Sequence, residues 1–319
     1  MDYTVDITSK QWLEPTFEKL QITDEFIELF NKNDYYGMVE SLKRKYGEVP
    51  FDYFEDGCTS KCSRKGQNRK GLQIHHIKED TLTDLSRAGA KAFRFFRTFQ
   101  INEDEQTFYT YKDSTNPKHR NMYYCKIYQR REYLVYANIY EHIALHLVLS
   151  TMKAKTDIWK GLPNSEEFAP NLGMGGVAIM GVPIIFHAFT YGYLGYEKVF
   201  PQGRKKLDLL IQDKNTPLIY SRMINDLRTA CAKDVTIAET AYSSLKNYFT
   251  AKDTTKEHVA IAIQVDEALG LSKAIDDYEK CFIAECEAKR QAQEHRKKVE
   301  RNKRIAKKVA KSVLKFGLR

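Results

Sequence analysis

Two pairs of histidines constrain the fold of this chain more than any other feature of its 319 residues. His142 and His146 lie four residues apart in NIYEHIALHLVL, and residues at this spacing share one face of an α-helix. The start of that helix is well marked, because Asn138 suits an N-cap and Glu141 falls at the third helical position. A helix here would therefore let both imidazoles reach one metal ion.

The second pair, His75 and His76, ends a short run typical of a β-strand, LQIHH. Neighbouring side chains on a strand point to opposite faces, so one imidazole can point at a metal and the other at a substrate. Imidazole ionises near neutral pH and suits a general base for phosphodiester hydrolysis. The zinc-protease motif HExxH is absent, because Ile143 and not Glu follows His142.

The segments LQIHHIKED and EYLVYANIYEHIALHLVL together resemble the HNH endonucleases, the ββα-metal nucleases, of the phage and mobile-element type. The resemblance covers residues 71–150. It implies that His75, His142 and His146 are the metal ligands and that His76 is the general base. It also implies one divalent ion, which could be Mg, Mn, Zn or Ni, and no small-molecule cofactor.

The resemblance further implies a second strand around Leu134 and a helix over residues 139–150. Two features depart from the family pattern. Tyr133 stands where the family has the asparagine that helps hold the general-base loop. The gap between the two histidine pairs is also long, which predicts an insertion at residues 80–128. A non-catalytic nucleic-acid-binding protein with a degenerate HNH module is the alternative function.

The whole chain is expected to be α+β and mostly α, with the small ββα-metal module flanked by helical regions. An Asn116-Pro117 turn inside the insertion indicates a loop or hairpin between residues 101 and 124. Another helix break is expected near Gly270. The four regions expected are an N-terminal helical region at 1–50, the HNH-like module at 51–150, a helical domain with a Gly-rich apolar segment at 151–288, and a basic helical tail at 289–319.

Positive charge is concentrated at the end of the chain. The net charge is +9, and residues 289–319 hold 13 Lys and Arg against 2 Glu, so the rest of the chain is nearly neutral. A basic block of this kind points to a polyanion, and the expected partner is double-stranded DNA. Candidate contacts to DNA phosphates are the basic residues just before the predicted strand at 72–76 and one basic residue on the insertion. These candidates are Lys61, Arg64, Lys65, Arg69, Lys70 and Arg94.

The six cysteines are sparse and irregularly spaced, unlike an extracellular disulfide framework. Cys58 and Cys62 form a CxxxC motif, but a second such pair is missing, so free thiols are expected and a structural zinc is the alternative. The first residues lack a secretory signal pattern. These features favour a cytoplasmic protein, and the resemblance to phage and mobile-element HNH endonucleases implies a bacterial or phage origin.

Residues 168–196 contain no charged side chain across 29 positions. A run of this length satisfies the length requirement for a membrane span. Its six glycines, Pro170 and Pro183 favour instead a buried Gly-rich turn and helix. Membrane association, combined with the basic tail, is kept as an alternative.

Overall fold

A computed structural model of the chain describes residues 20–54, 72–82, 106–152, 173–191, 213–249 and 256–278, together with Leu85, Gly89, Ala92, Phe96 and scattered positions between 280 and 299. Within these residues the chain is mostly helical and has one two-stranded antiparallel sheet, which confirms the expected α+β, mostly α class. The chain divides into two compact units, residues 1–271 and 272–319.

The elements of the first unit follow one another in this order along the described chain. They are α1 Asp24–Asn31, α2 Tyr35–Tyr46, β1 Gln73–His76, α3 Gln106–Thr110, α4 Pro117–Ile127, β2 Leu134–Ala137, α5 Ile139–Leu149, α6 Met174–Tyr191, α7 Thr216–Lys233, α8 Val235–Phe249 and α9 Lys256–Leu269. Short 3-10 turns follow β1 at Ile77–Asp80 and precede β2 at Arg131–Tyr133.

The two strands pair in a register that sets the direction of the first histidine pair. His75 lies opposite Val135 and His76 lies opposite Leu134. Helix α5 begins two residues after β2 ends and packs against both strands. The strand around Leu134 and the helix over residues 139–150 are therefore where the sequence predicted them.

Helix α5 is the central element of this unit. All of its residues except His142 are buried, and its apolar residues are not confined to one face. It contacts the sheet and α2 as well as α6 and α7. A helix that is apolar all round is stable only when neighbours cover it completely, which explains why helices from both ends of the unit pack against it.

The predicted loop or hairpin between residues 101 and 124 is wrong. Two helices, α3 and α4, occupy the described part of this segment, and Pro117 is the first residue of α4. Proline is favoured at this position because its missing N–H would have no partner within the helix. The insertion has its own apolar cluster, formed by Leu82, Leu85, Ala92, Phe96, Phe108, Tyr123, Cys125, Ile127 and Tyr128.

The uncharged run contains helix α6, with Pro183 inside it. Among the helices that the structure describes, none is both long enough and apolar enough to cross a membrane. The expected break near Gly270 is confirmed, because Gly270 has φ +68° directly after α9. That left-handed backbone conformation favours glycine and ends the helix.

The second unit is helical at residues 272–278 and at the scattered described positions from 280 to 299. Most of the predicted basic tail, including all of residues 300–319, lies outside the described residues, as does the N-terminal region before residue 20.

Candidate metal centre

The first turn of α5 is fixed by a capping box that includes its N-cap residue. Asn138 Oδ1 accepts a hydrogen bond from the backbone N–H of Glu141 at 2.9 Å, and Glu141 Oε2 accepts one from the backbone N–H of Asn138 at 2.8 Å. Asn138 Nδ2 also donates to the carbonyl of Leu20 at 2.8 Å. These bonds fix where α5 starts and thereby the face on which His142 and His146 lie.

Three imidazoles converge where β1 meets this face of α5. His75, His142 and His146 each offer one ring nitrogen, and these nitrogens all lie within 4.8 Å of one another. The ring centroids of His75 are 5.0 Å and 5.1 Å from those of His142 and His146. We call this group the three-histidine cluster. The structure therefore brings together the three residues that the family resemblance implied as metal ligands.

The hydrogen bonds of His75 show which of its nitrogens faces the cluster. Burial raises the pKa of Tyr35 well above its ordinary value, so the hydroxyl keeps its proton and donates it to the carbonyl of Ile77 at 2.9 Å. His75 Nε2 lies 2.8 Å from the same hydroxyl oxygen and must then donate to it. The lone pair is left on Nδ1, a buried atom with no hydrogen-bond partner among the described residues.

His142 is oriented by a glutamine on the neighbouring strand. Its Nδ1 lies 2.6 Å from Oε1 of Gln73, which can only accept a hydrogen bond. Nδ1 therefore carries the proton, and the lone pair is on Nε2. That Nε2 lies 3.2 Å from Nε2 of His146. Metal-binding histidines are commonly held in this way by an oxygen acceptor on the ring nitrogen away from the ion.

Burial keeps the cluster in the form that binds metal. Burial, reinforced by the neighbouring imidazoles, lowers the pKa of His75 and of His142 well below the usual 6.5. Burial likewise lowers the pKa of His146 to about 4. Metal ligation requires neutral imidazole, so protons do not compete for these nitrogens at neutral pH. The buried Nδ1 of His75 without a partner and the facing Nε2 atoms of the helical pair fit a divalent cation.

His76, the fourth histidine, is turned away from the cluster and held by a glutamine. Its Nε2 lies 2.9 Å from Oε1 of Gln129, whose amide nitrogen donates to the carbonyls of Leu85 and Cys125, each at 2.9 Å. These two donations fix the orientation of the amide, so Oε1 accepts from His76 Nε2 and the lone pair of His76 is on Nδ1.

The surroundings of His76 are close-packed. The ring of Tyr53 covers it with a centroid distance of 4.4 Å, and only 1% of His76 is exposed. Burial lowers its pKa to about 4. His76 is therefore a neutral, oriented imidazole beside the cluster at pH 7, and the residues that cover it include Tyr53.

Tyr133, which stands in place of the family's asparagine, is not a partner of His76. Its ring packs on Tyr128 at 5.1 Å, at the edge of the apolar cluster of the insertion. The orienting hydrogen bond to His76 comes instead from Gln129, at the end of the insertion. Gln129 was missed from the sequence, because no spacing rule connects it with His76.

Three other contributors to the centre were also missed. Tyr35 and Gln73 orient two of the imidazoles, and Glu79 places its carboxylate 3.6 Å from Nε2 of His146. Of these three residues, Glu79 could have been found from the sequence, because it follows His76 by three positions and His75 by four. A side chain at that spacing can fold back on the histidines when the strand ends in a helical turn.

Several candidate residues lie outside the described part of the chain. They are the expected phosphate contacts Lys61, Arg64, Lys65, Arg69, Lys70 and Arg94, and the CxxxC cysteines Cys58 and Cys62. The DNA contacts and the structural zinc therefore remain predictions.

A glycine on α6 makes room for the third imidazole. A Cβ atom added at Gly176 would lie 2.8 Å from both Cε1 and Nδ1 of His146, whereas one added at Gly175 would meet nothing within 4 Å. Gly176→Ala should therefore displace the ring of His146 and lower zinc affinity by about tenfold. Changes to residues that hold a metal ligand in place usually lower metal affinity by about 10-fold to 100-fold, and this is the lower end of that range. Isothermal titration with zinc measures this.

Gly175→Ala is the matched control, because it makes the same change one position earlier in α6. It should leave zinc affinity unchanged and raise the free energy of unfolding by up to about 1 kcal/mol, since alanine is the better helix former. Equal zinc affinities for the two variants would contradict the role given to Gly176.

The comparisons with known proteins add no relative. No protein-family model, no curated protein and no solved structure matches this chain.

Proposed function

We propose that this chain is a metal-dependent endonuclease that hydrolyses phosphodiester bonds in DNA by an HNH-type single-metal mechanism. The observation that carries the proposal is the convergence of three imidazole nitrogens beside a fourth neutral imidazole, that of His76. One group of nitrogens suits a divalent ion, and the separate imidazole suits a proton acceptor. A metal site with a proton acceptor beside it supports hydrolysis rather than metal storage alone.

In this proposal the three-histidine cluster holds the ion, which when bound supplies positive charge to stabilise the charge developing on the phosphate. His76 takes the proton of the attacking water on Nδ1. Gln129 keeps Nε2 of His76 protonated and holds the ring in place. Because burial lowers the pKa of His76 to about 4, the imidazole is unprotonated at neutral pH, and the same burial makes it a weaker base than an exposed imidazole.

Nucleic acid is the proposed substrate because the chain is basic and its excess charge lies in one block. The net charge is +9, and 13 of the Lys and Arg residues fall in positions 289–319. Lysine and arginine contacts to phosphates give affinity without sequence preference, and this affinity falls steeply as salt is added.

Purified full-length protein should convert supercoiled plasmid to nicked or linear forms when magnesium, manganese, zinc or nickel is supplied. Conversion should stop when EDTA removes the ion, because the phosphate then loses the positive charge opposite it. Agarose electrophoresis of time points at 50 mM and 200 mM salt measures both the rate and its salt dependence. Equal cleavage with EDTA present would contradict the proposal.

A non-catalytic nucleic-acid-binding protein is the second candidate. The observation that favours it is the burial of His76, of which 1% is exposed and whose ring Tyr53 covers. The attacking water can reach Nδ1 only after some of the covering residues move. Retention of DNA in a gel-shift assay, with no cleavage by any of the four metals, would favour this second function.

A further inference from the structure

Glu79 lies in a turn that is fixed on both sides. The 3-10 turn Ile77–Asp80 directly follows β1, and the hydroxyl of Tyr35 donates to the carbonyl of Ile77. On the other side, the hydroxyl of Tyr36 donates to the carboxylate of Asp80 at 2.5 Å. The backbone on either side of Glu79 is thus held against α2, and its side chain is directed back toward β1.

The carboxylate of Glu79 faces three of the four histidines. Its Oε2 lies 3.6 Å from Nε2 of His146 and 4.0 Å from Nδ1 of His75. Its Oε1 lies 3.9 Å from Nδ1 of His76. One carboxylate oxygen is therefore directed at the three-histidine cluster and the other at the proposed base.

These distances match the spacing of ligands around one ion. Ligand atoms about 2.0–2.1 Å from a tetrahedral zinc are separated from one another by about 3.3 Å. The Nε2 atoms of His142 and His146 are 3.2 Å apart, and Oε2 of Glu79 is only slightly farther from His146. Oε2 therefore lies within reach of an ion held by His146 and His75.

Asp80 and Glu141 are the buried carboxylates next to Glu79 and His142 in sequence, and both accept hydrogen bonds from other residues. Asp80 accepts from Tyr36, and Glu141 accepts from Lys45, Tyr46 and the N-cap backbone of α5. Among the described residues, Glu79 is the carboxylate that lies within 4.0 Å of the histidines of the cluster.

We propose that Glu79 is the fourth ligand of the metal and closes the site in the resting protein. This inference deepens the proposed function and rests on it for its consequence, which is that a phosphate oxygen can reach the ion only by displacing Oε2. Sites closed by four protein ligands and sites with an open position behave differently toward added anions. The inference can therefore be tested without nucleic acid.

The first test is a cobalt titration of the metal-free full-length protein. Glu79→Gln should lower cobalt affinity by more than about 100-fold, beyond the cost of losing a group that only orients a ligand, because the ion exchanges a charged ligand for a neutral amide. It should also change the visible absorption band of the cobalt protein, which reports the ligand set. The matched control is Glu132→Gln, which makes the same change at an exposed position and should leave affinity and band unchanged.

Unchanged cobalt affinity and an unchanged band in Glu79→Gln would overturn the inference. Glu79→Ala is the second variant, and it should lower the affinity at least as far. Circular dichroism and urea unfolding of the metal-free variants separate lost ligation from lost folding, because a folded variant that binds cobalt weakly supports the inference.

The second test uses inorganic phosphate as the probe. Phosphate should alter the band of cobalt-loaded Glu79→Gln at about tenfold lower concentration than that of the wild type, because the variant has a weaker ligand to displace. If phosphate alters the band of both proteins at the same concentration, the proposal that Glu79 closes the site is refuted. If Glu79→Gln weakens cobalt binding as expected but the wild type does not cleave DNA, the proposed function alone is refuted. If the wild type cleaves DNA but Glu79→Gln has wild-type cobalt affinity and absorption, this inference alone is refuted.

Discussion

Replacing His142 by alanine should abolish the stabilisation of the folded protein by zinc. Loss of a group that only orients a ligand costs about 10-fold to 100-fold in affinity, and loss of a ligand itself costs more. At a zinc concentration 100 times the dissociation constant, the wild type should gain about 2.7 kcal/mol. That gain corresponds to a rise of about 4–5 °C in Tm for a protein of this size.

His142 is the best choice for this test because it is the one residue of α5 that is not fully buried. Its replacement therefore disturbs packing less than replacement of His75 or His146. Differential scanning calorimetry with zinc and with EDTA gives the two Tm values. The control is His295→Ala, since His295 is exposed in the second unit and should leave the zinc-dependent rise intact. A full rise in His142→Ala would show that His142 is not a ligand.

Lys45→Met should destabilise the protein by about 3–5 kcal/mol, because it leaves a buried carboxylate without its cation. Glu141 is completely buried, and Lys45 reaches it from α2. Lys45 also donates to the carbonyl of Gln21 at 2.6 Å. The ion pair thus ties the N-terminal helices to the first turn of α5, one residue before His142. Urea unfolding with EDTA present measures the change in free energy.

The matched control makes the same substitution two residues earlier on α2. Lys43 pairs with Glu40 at 3.2 Å on the surface, so Lys43→Met should cost no more than about 1 kcal/mol. Equal losses from the two variants would contradict the role of the buried pair.

The pH dependence of the Lys45→Met defect has a defined sign. Burial raises the pKa of Glu141 above its ordinary 4.5, and Lys45 opposes that rise in the wild type. Without Lys45 the pKa of the folded state rises further, so folding takes up a proton and stability falls as pH increases. The defect should therefore be smaller at pH 5 than at pH 8, and a defect that grows on acidification would contradict this explanation.

The positions of His142 and His146 on one helix could be predicted from the sequence, because they depend on interactions between residues close together in the chain. The i, i+4 spacing of His142 and His146 and the capping pair of Asn138 and Glu141 placed α5 to within one residue of its observed end at Leu149. Both signals act within a single helix, where periodicity and caps largely determine the conformation.

The residues that orient His75 and His76 could not be predicted, because they contact these histidines from distant parts of the chain. Gln129 meets His76 across 53 positions and Tyr35 meets His75 across 40, and no spacing rule covers such separations. The error at Pro117 has a different cause, because Asn-Pro is typical both of a turn and of the first residue of a helix. The apolar cluster of the insertion decides between these two conformations, and it forms only in the folded chain.

Cleavage of supercoiled plasmid by His76→Ala, compared with wild type at saturating metal, tests whether His76 is the base. We claim that the three-histidine cluster binds the ion while His76 acts separately as the base. His76→Ala should bind zinc with wild-type affinity and cleave about 100-fold to 10,000-fold more slowly, the usual contribution of a general base. Cleavage at the wild-type rate by His76→Ala would contradict the claim, as would an inactive wild type on double-stranded DNA, single-stranded DNA and RNA with every metal.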